Sequence, residues 1–201
     1  MGKRILSAGA ATITAALLSS CAPATSQAPG TDPDVADTAH AETPPGFYLG
    51  EEFIEIGEFD PNKVELIDLC EEIPDEVLLE AGLINNGSGG LEGKESIICT
   101  LRAKEQTLSS GDFSLISDAL AKEILNQNDL LIEPNLATTV PGSFFYAFPS
   151  DDASCFVATE TSRGLISIVY DNPFIRAEQE HLCNPALKAL ESIYFQLRGN
   201  Q

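Results

Sequence analysis

The sequence predicts an α+β domain in which helices pack on an antiparallel sheet. Three β-rich runs follow one another between residues 143 and 170, and turn-forming residues separate them. An apolar pattern of helical spacing follows between residues 184 and 197. We therefore expect a C-terminal three-strand antiparallel meander, a C-terminal helix packed on the sheet, and a short helix nearer the N-terminus.

The early elements of the domain give shorter signals. Pro74, with acidic neighbours, and Gly82 enclose a short apolar stretch, which is typical of a short helix. The sequence Asn-Asn-Gly-Ser-Gly-Gly at 85–90 predicts a loop. Residues 96–102 alternate between apolar and polar side chains, so they predict a strand that points Cys99 inward.

Residues 113–125 fit two interpretations. Phe113, Leu115 and Ser117 share one face of a strand, whereas an apolar set that starts at the same phenylalanine has helical spacing. We favour a strand as far as Ser117 and a helix from Asp118.

The last elements are clearer. The meander strands are predicted at 143–148, 155–161 and 165–170. Asn184 suits an N-cap and Pro185 suits a first helical turn, so we expect the final helix to begin there.

The N-terminus has the features of an export signal. Lys3 and Arg4 precede an uncharged apolar run at 5–18, and Leu-Ser-Ser-Cys21 follows. That run is shorter than the roughly 20 apolar residues that a transmembrane helix needs. The order matches the bacterial lipobox, so we expect residues 1–20 to be removed and diacylglycerol to be attached to Cys21. The alternative is an ordinary secretory signal with a chance cysteine.

Composition divides the rest of the chain in two. Residues 21–46 are rich in proline and poor in large aliphatic side chains, so we expect a disordered tether behind the lipidated cysteine. Residues 47–201 have ample length for one globular domain.

The chain is strongly acidic, with 31 Asp and Glu against 11 Lys and Arg and a formal charge of −20. Removal of residues 1–20 takes away Lys3 and Arg4, which changes that charge to −22. The remaining cations are scattered, which argues against a nucleic-acid partner and against a polybasic contact with anionic lipid. Solubility accounts for the acid; affinity for Ca²⁺ or a cationic partner is the alternative.

Four cysteines remain in the predicted domain: Cys70, Cys99, Cys155 and Cys183. An even number in an exported chain favours disulfides, and four cysteines allow three pairings. We favour pairing of sequence neighbours, because it closes two loops of similar length. A zinc site with four cysteine ligands would need closely spaced pairs, which the sequence lacks.

No catalytic motif is present in the sequence. We find no Gly-x-Ser-x-Gly, His-Glu-x-x-His or phosphate-binding loop, and His181 is the one histidine of the predicted domain. We therefore expect no catalytic residue, no cofactor and no metal site.

One aromatic segment is a candidate ligand wall. Phe144, Tyr146 and Phe148 would share one face of a strand and could line a groove for an apolar or carbohydrate ligand. The alternative is a central strand that is covered on both faces. Phe53 and the Phe47-Tyr48 pair either join that wall or dock the N-terminal edge of the domain.

Several of these features together resemble one family. They are the lipobox, the Pro/Thr-rich tether, Asp68-Leu69-Cys70 before a short helix that ends at Ala81-Gly82-Leu83, and cysteines at 99, 155 and 183. The chain resembles an actinobacterial family of lipoproteins known as a domain of unknown function. That resemblance implies an envelope domain with four disulfide-paired cysteines and no catalytic residues.

The sequence thus predicts a non-catalytic binding or interaction module on the extracytoplasmic face of the cell membrane. Lipid on Cys21 attaches it to that membrane, and its partner is an envelope protein, glycan or lipid. The alternative is a carrier of small apolar ligands or lipids with a pocket near Phe144–Phe148. A hydrolase or redox enzyme would require a free cysteine thiol.

Overall fold

A seven-stranded antiparallel sheet forms the centre of the fold. The computed structural model describes residues 44–88, 96–105, 111–149, 153–174 and 179–199, in which a two-stranded hairpin and four helices accompany that sheet. The predicted α+β class is confirmed. In chain order the elements are β1 (Gly46–Leu49), β2 (Glu52–Glu55), α1 (Leu69–Glu72), α2 (Asp75–Glu80), β3 (Leu83–Ser88), β4 (Ser96–Ala103), β5 (Asp112–Asp118), α3 (Lys122–Gln127), β6 (Leu131–Glu133), β7 (Phe144–Tyr146), β8 (Ser154–Thr161), β9 (Gly164–Asp171) and α4 (Gln179–Gly199).

The strands of the large sheet lie side by side in the order β3-β4-β5-β9-β8-β7-β6. Strands β7, β8 and β9 are consecutive antiparallel neighbours, so the predicted meander is confirmed. Strand β5 pairs with β4 on one side and with β9 on the other. The meander is therefore part of a larger sheet: β5 joins it to β4 and β3, and β6 lies beside β7 at the other edge.

Residues 113–125 form a strand followed by a helix, as we favoured. Phe113, Leu115 and Ser117 are buried on one face of β5, because successive side chains of a strand point to opposite faces. The helix begins at Lys122 rather than at Asp118. The Asp118 carboxylate accepts the Leu120 N–H at 2.7 Å, which turns the chain before the helix begins.

Helix α4 covers one face of the sheet with side chains that recur at helical spacing. Burial of each large aliphatic side chain among them stabilises the fold by about 1.5–3 kcal/mol. The void that remains between α4 and the sheet has a volume of about 20 Å³, which is room for about one water molecule. The buried residues of α4 are Leu182, Cys183, Ala186, Ala189, Leu190, Ile193, Tyr194 and Leu197.

Helix α4 begins earlier than predicted, at Gln179, so Asn184 is not its N-cap and Pro185 lies inside it. Leu182 and Cys183 are buried, which fixes this upstream turn on the sheet. Tertiary packing therefore decides where the helix begins. The proline costs an intrahelical hydrogen bond, because it has no N–H.

The predicted loop at 85–90 is wrong for residues 85–88, which belong to β3 and pair with β4. The register shifts between Asn85 and Ser88, and Gly87 has a φ of +99°, which glycine adopts without strain. Pairing with a long neighbouring strand thus overrides a turn-like composition. Residues 89 and 90 lie outside the described residues.

Two disulfides join helices to strands. Cys70 in α1 is bonded to Cys99 in β4, and their Cα atoms are 5.3 Å apart. Cys155 in β8 is bonded to Cys183 in α4, and their Cα atoms are 5.0 Å apart. These are the two pairings that we favoured from the sequence. Each bond holds a helix on the same face of the sheet.

Candidate binding site

The three residues of the candidate ligand wall differ in exposure. Phe144 is fully buried, Tyr146 is 3% exposed and Phe148 is 38% exposed. The ammonium of Lys122 lies 4.7 Å from the centroid of the Phe144 ring, and Leu125 of α3 belongs to the same buried cluster. Strand β7 is therefore buried on this face as well as on the face that carries Phe145.

Phe148 reaches solvent beside a cluster of rings. Its ring meets the half-buried Phe156 edge to face at 5.3 Å, and Phe156 stacks on Tyr146 at 4.7 Å. The Tyr146 hydroxyl and Ser167 Oγ are 3.2 Å apart, and burial raises the pKa of Tyr146. These rings pack on one another rather than around a space.

A groove beside the C-terminal end of α4 has a lining rich in proline and aromatic residues. Its volume is about 380 Å³, which is within the range of ligand sites. We call it the α4 groove. It is lined by Pro44, Pro45, Gly46, Phe53, Pro141, Tyr194 and Arg198.

The β1–β2 hairpin forms one wall of the α4 groove. The Phe47 ring contacts the Tyr194 ring edge to face at 6.2 Å, so the hairpin is docked on α4. The Ile56 N–H donates to the Pro45 carbonyl at 2.8 Å, which fixes the residue that enters β1. Phe47 therefore docks the N-terminal edge of the domain, and Phe53 lines the α4 groove.

Gly46 allows this wall to form. A Cβ atom at this position would clash with the ring of Phe53 and with the carbonyl oxygen of Ile54. Only glycine lets the phenylalanine ring lie directly on the backbone. Phe53 also packs on Tyr48, with 5.1 Å between ring centroids, so its ring is held from two sides.

The opposite wall comes from α4 and from the loop that ends at Pro141. Glu191 of α4 accepts hydrogen bonds from Thr138 Oγ1 at 2.7 Å and from the Thr139 N–H at 3.2 Å. The hydrogen bond from Thr138 holds the pKa of the Glu191 carboxyl below its usual value. The loop is therefore tied to the helix close to the groove.

Among the described residues that line the α4 groove, Arg198 is the one charged residue. Its guanidinium makes no ion pair or hydrogen bond with any residue of the described ranges. The Tyr194 hydroxyl likewise has no hydrogen-bond partner among them. Five guanidinium N–H groups and one hydroxyl are therefore free to bind a ligand.

A second groove, also of about 380 Å³, lies beside α3 and has a different character. Three glutamates line it, and its lysine, Lys122, donates to the Pro134 carbonyl at 2.6 Å. The Lys122 N–H donates to Glu160 Oε1 at 2.8 Å, so this carboxylate caps α3. Lys122 and Glu160 of this groove therefore already form hydrogen bonds within the fold.

Sequence reasoning missed most residues of the α4 groove. Tyr194 was assigned to the apolar face of the final helix, and it is buried there, but its side chain also lines the groove. Phe195 is 73% exposed and falls outside the helical apolar spacing, which is the one signal that could have indicated a surface role. Cys21, the predicted signal peptide and the tether as far as residue 43 lie outside the described residues.

The thiol and metal chemistry of the described residues is limited. Cys70, Cys99, Cys155 and Cys183 are all in disulfides, and His181 is exposed on α4. No group of three metal-binding side chains occurs within the described ranges. No helix there is long and apolar enough to cross a bilayer.

Fold and groove together define a disulfide-linked α+β domain with a ligand-sized cleft at its surface. The family model described as "Protein of unknown function (DUF3558)" matches residues 16–194, and the chain belongs to that family. Comparison with curated proteins gave no match, and comparison with solved structures gave none.

Proposed function

We propose that the chain is an actinobacterial lipoprotein of the cell envelope whose domain is a non-catalytic binding module. The lipobox at Cys21 supports export and lipidation. Two or more acyl chains would hold the protein stably on the extracytoplasmic face of the membrane. The residues between Cys21 and the first strand would then separate the domain from the bilayer.

The α4 groove is the observation that carries the binding proposal. It has the volume of a ligand site, its walls are fixed by ring packing and hydrogen bonds, and its Arg198 and Tyr194 polar groups are unpaired among the described residues. The ring contacts of Phe53 with Tyr48 and of Tyr194 with Phe47 hold these walls in place before binding, which reduces the entropy that is lost when a ligand binds.

A surface site fits the packing better than an interior carrier pocket. The void between α4 and the sheet is about 20 Å³, whereas ligand sites occupy roughly 300–1,000 Å³. On the other face, Phe144 and Tyr146 fill the space near β7. A ligand or partner would therefore meet the domain at its surface.

Oxidised cysteines support a non-catalytic role. A cysteine nucleophile must be a thiolate, and each of the four cysteines in the domain is bonded to another. The disulfides also suit an oxidising compartment outside the cytoplasm.

Membrane attachment is tested with the Cys21→Ala variant. We expect the wild-type chain to sediment with membranes and to be digested when protease is added to intact spheroplasts. The variant should take up no labelled fatty acid, because residue 21 then has no thiol to receive diacylglycerol. A variant that still takes up the label would contradict lipidation at this cysteine.

A further inference from the structure

We propose that the α4 groove and Phe195 form one docking surface for an extended segment of a partner protein, which carries a carboxylate that pairs with Arg198. This inference rests on the proposed binding function and names its partner class. The two observations behind it are the composition of the groove and an exposed phenylalanine on the same helix.

The lining of the α4 groove differs from the rest of the protein. The chain has 31 acidic residues among 201, yet no aspartate or glutamate of the described residues lines this groove. Protein interfaces have the same bias, because aromatic residues and arginine are enriched at their centre whereas aspartate, glutamate and lysine are depleted. The α4 groove therefore has the composition of an interface rather than that of the surrounding surface.

Phe195 extends this surface along α4. Its side chain is 73% exposed, and it follows Tyr194 and precedes Arg198 by three residues. Residues three apart are neighbours on a helix surface, so Phe195 and Arg198 lie side by side. A partner that fills the groove next to Arg198 would thus also meet Phe195 and remove its ring from water.

The free guanidinium of Arg198 decides the charge of the occupant. A planar guanidinium binds a carboxylate with two parallel hydrogen bonds, which a lysine cannot do. The chain as a whole carries a charge of −20, which repels polyanions. A segment with a single carboxylate can pair with Arg198 and is repelled little by the negative chain. An acidic run or a nucleic acid would be repelled strongly.

The lining and the volume of the groove favour an extended segment. Of the seven described residues that line it, three are prolines and two carry aromatic rings. Aromatic-lined grooves bind proline-rich segments in the polyproline II conformation, which pays little entropy on binding. A groove of about 380 Å³ has room for a few side chains of such a segment.

The test uses the full lipidated chain in nanodiscs and an array of proline-containing decapeptides, each synthesised with one glutamate or with glutamine in its place. We expect a set of glutamate peptides to bind and their glutamine counterparts to bind at least tenfold more weakly. Arg198→Met should remove this preference, and Phe195→Ser should weaken both peptide forms at least fivefold.

Matched controls lie in the same fold. Lys188→Met removes an exposed cation from α4, outside the groove lining, and Phe174→Ser removes a phenylalanine that is 76% exposed elsewhere. Both should bind as the wild type does. Because all four side chains are exposed, the thermal midpoints of the variants should match that of the wild type.

The proposal is overturned if no glutamate peptide binds at 1 mM, if Arg198→Met keeps the glutamate preference, or if the control variants lose as much binding as the groove variants. Peptides selected for lysine or arginine would also overturn it. Membrane attachment through Cys21 is measured separately, so a chain that is lipidated but has no Arg198-dependent binding refutes this inference alone.

Discussion

The Tyr146 hydroxyl is a polar group within the cluster behind α3. Its ring is 3% exposed, and Ser167, which shares its hydrogen bond, is fully buried. Burial raises the pKa of Tyr146, because the charged form would lose its hydration. The folded state therefore keeps this proton at a pH where the unfolded chain begins to release it.

Replacement of this tyrosine by phenylalanine tests that balance. Near neutral pH, Tyr146→Phe should lower the free energy of unfolding by about 1–2 kcal/mol, because Ser167 loses its partner. The contribution of the raised pKa is present below about pH 10 and is lost as the pH rises further. Urea unfolding should show a smaller difference in the free energy of unfolding between wild type and variant at pH 10.5 than at pH 7. An equal difference at both values would contradict the assignment.

Gly46 fixes the position of the Phe53 wall. Gly46→Ala should lower the free energy of unfolding by about 1–3 kcal/mol, because the new methyl group overlaps the Phe53 ring and the backbone of β2. Gly57→Ala is the matched control, since an added Cβ there meets nothing within 4 Å. Equal stability of the two variants in urea unfolding would show that the close approach at Gly46 is absent.

At the scale of elements, the two disulfides differ in accessibility. Cys155 and Cys183 are both fully buried, whereas Cys70 is half-buried at the surface end of its pair with Cys99. Thiol exchange requires access to a sulfur atom, so the Cys70–Cys99 bond should be reduced first.

Mild reduction followed by alkylation and mass spectrometry gives the order. We expect labels on Cys70 and Cys99 while Cys155 and Cys183 remain oxidised.

The double variant Cys155→Ala/Cys183→Ala should lose about 2–5 kcal/mol of stability, because β8 and α4 are then no longer linked in the unfolded chain. Urea unfolding measures this loss. In the reduction experiment, labelling of Cys155 before Cys70 would contradict the burial of the Cys155–Cys183 bond.

Elements with regular patterns were predictable from the sequence. Strands β8 and β9 have clear β-rich patterns, and α4 has a long apolar stripe. Strand β3 was not predictable, since Asn85 to Ser88 has the composition of a turn and becomes a strand only through pairing with β4. The residues of β3 alone do not indicate which strand it pairs with.

At the scale of the whole molecule, the site depends on distant parts of the chain. Pro45, Phe53, Pro141 and Arg198 meet only after the hairpin has docked on α4. No spacing in the sequence connects them. The cysteine pairing could be favoured in advance because loop closure depends on sequence separation. The groove could not be predicted in advance, because it forms only through tertiary packing.

The proposed lipid attachment and the two disulfides fit the same cellular location. Export through a lipobox would place the chain outside the cytoplasm, where disulfides persist. The many acidic residues would then repel other anionic surfaces, while the proposed lipid would hold the domain near the membrane.

Intact mass of the membrane-extracted protein, alkylated with and without prior reduction, tests the lipid anchor and the disulfides in one experiment. We expect a chain that starts at Cys21 with diacylglycerol attached and that takes up no label before reduction. After reduction, it should take up four labels, at Cys70, Cys99, Cys155 and Cys183. A mass without lipid, or two or more labels before reduction, would contradict the lipid-anchored, disulfide-linked binding module.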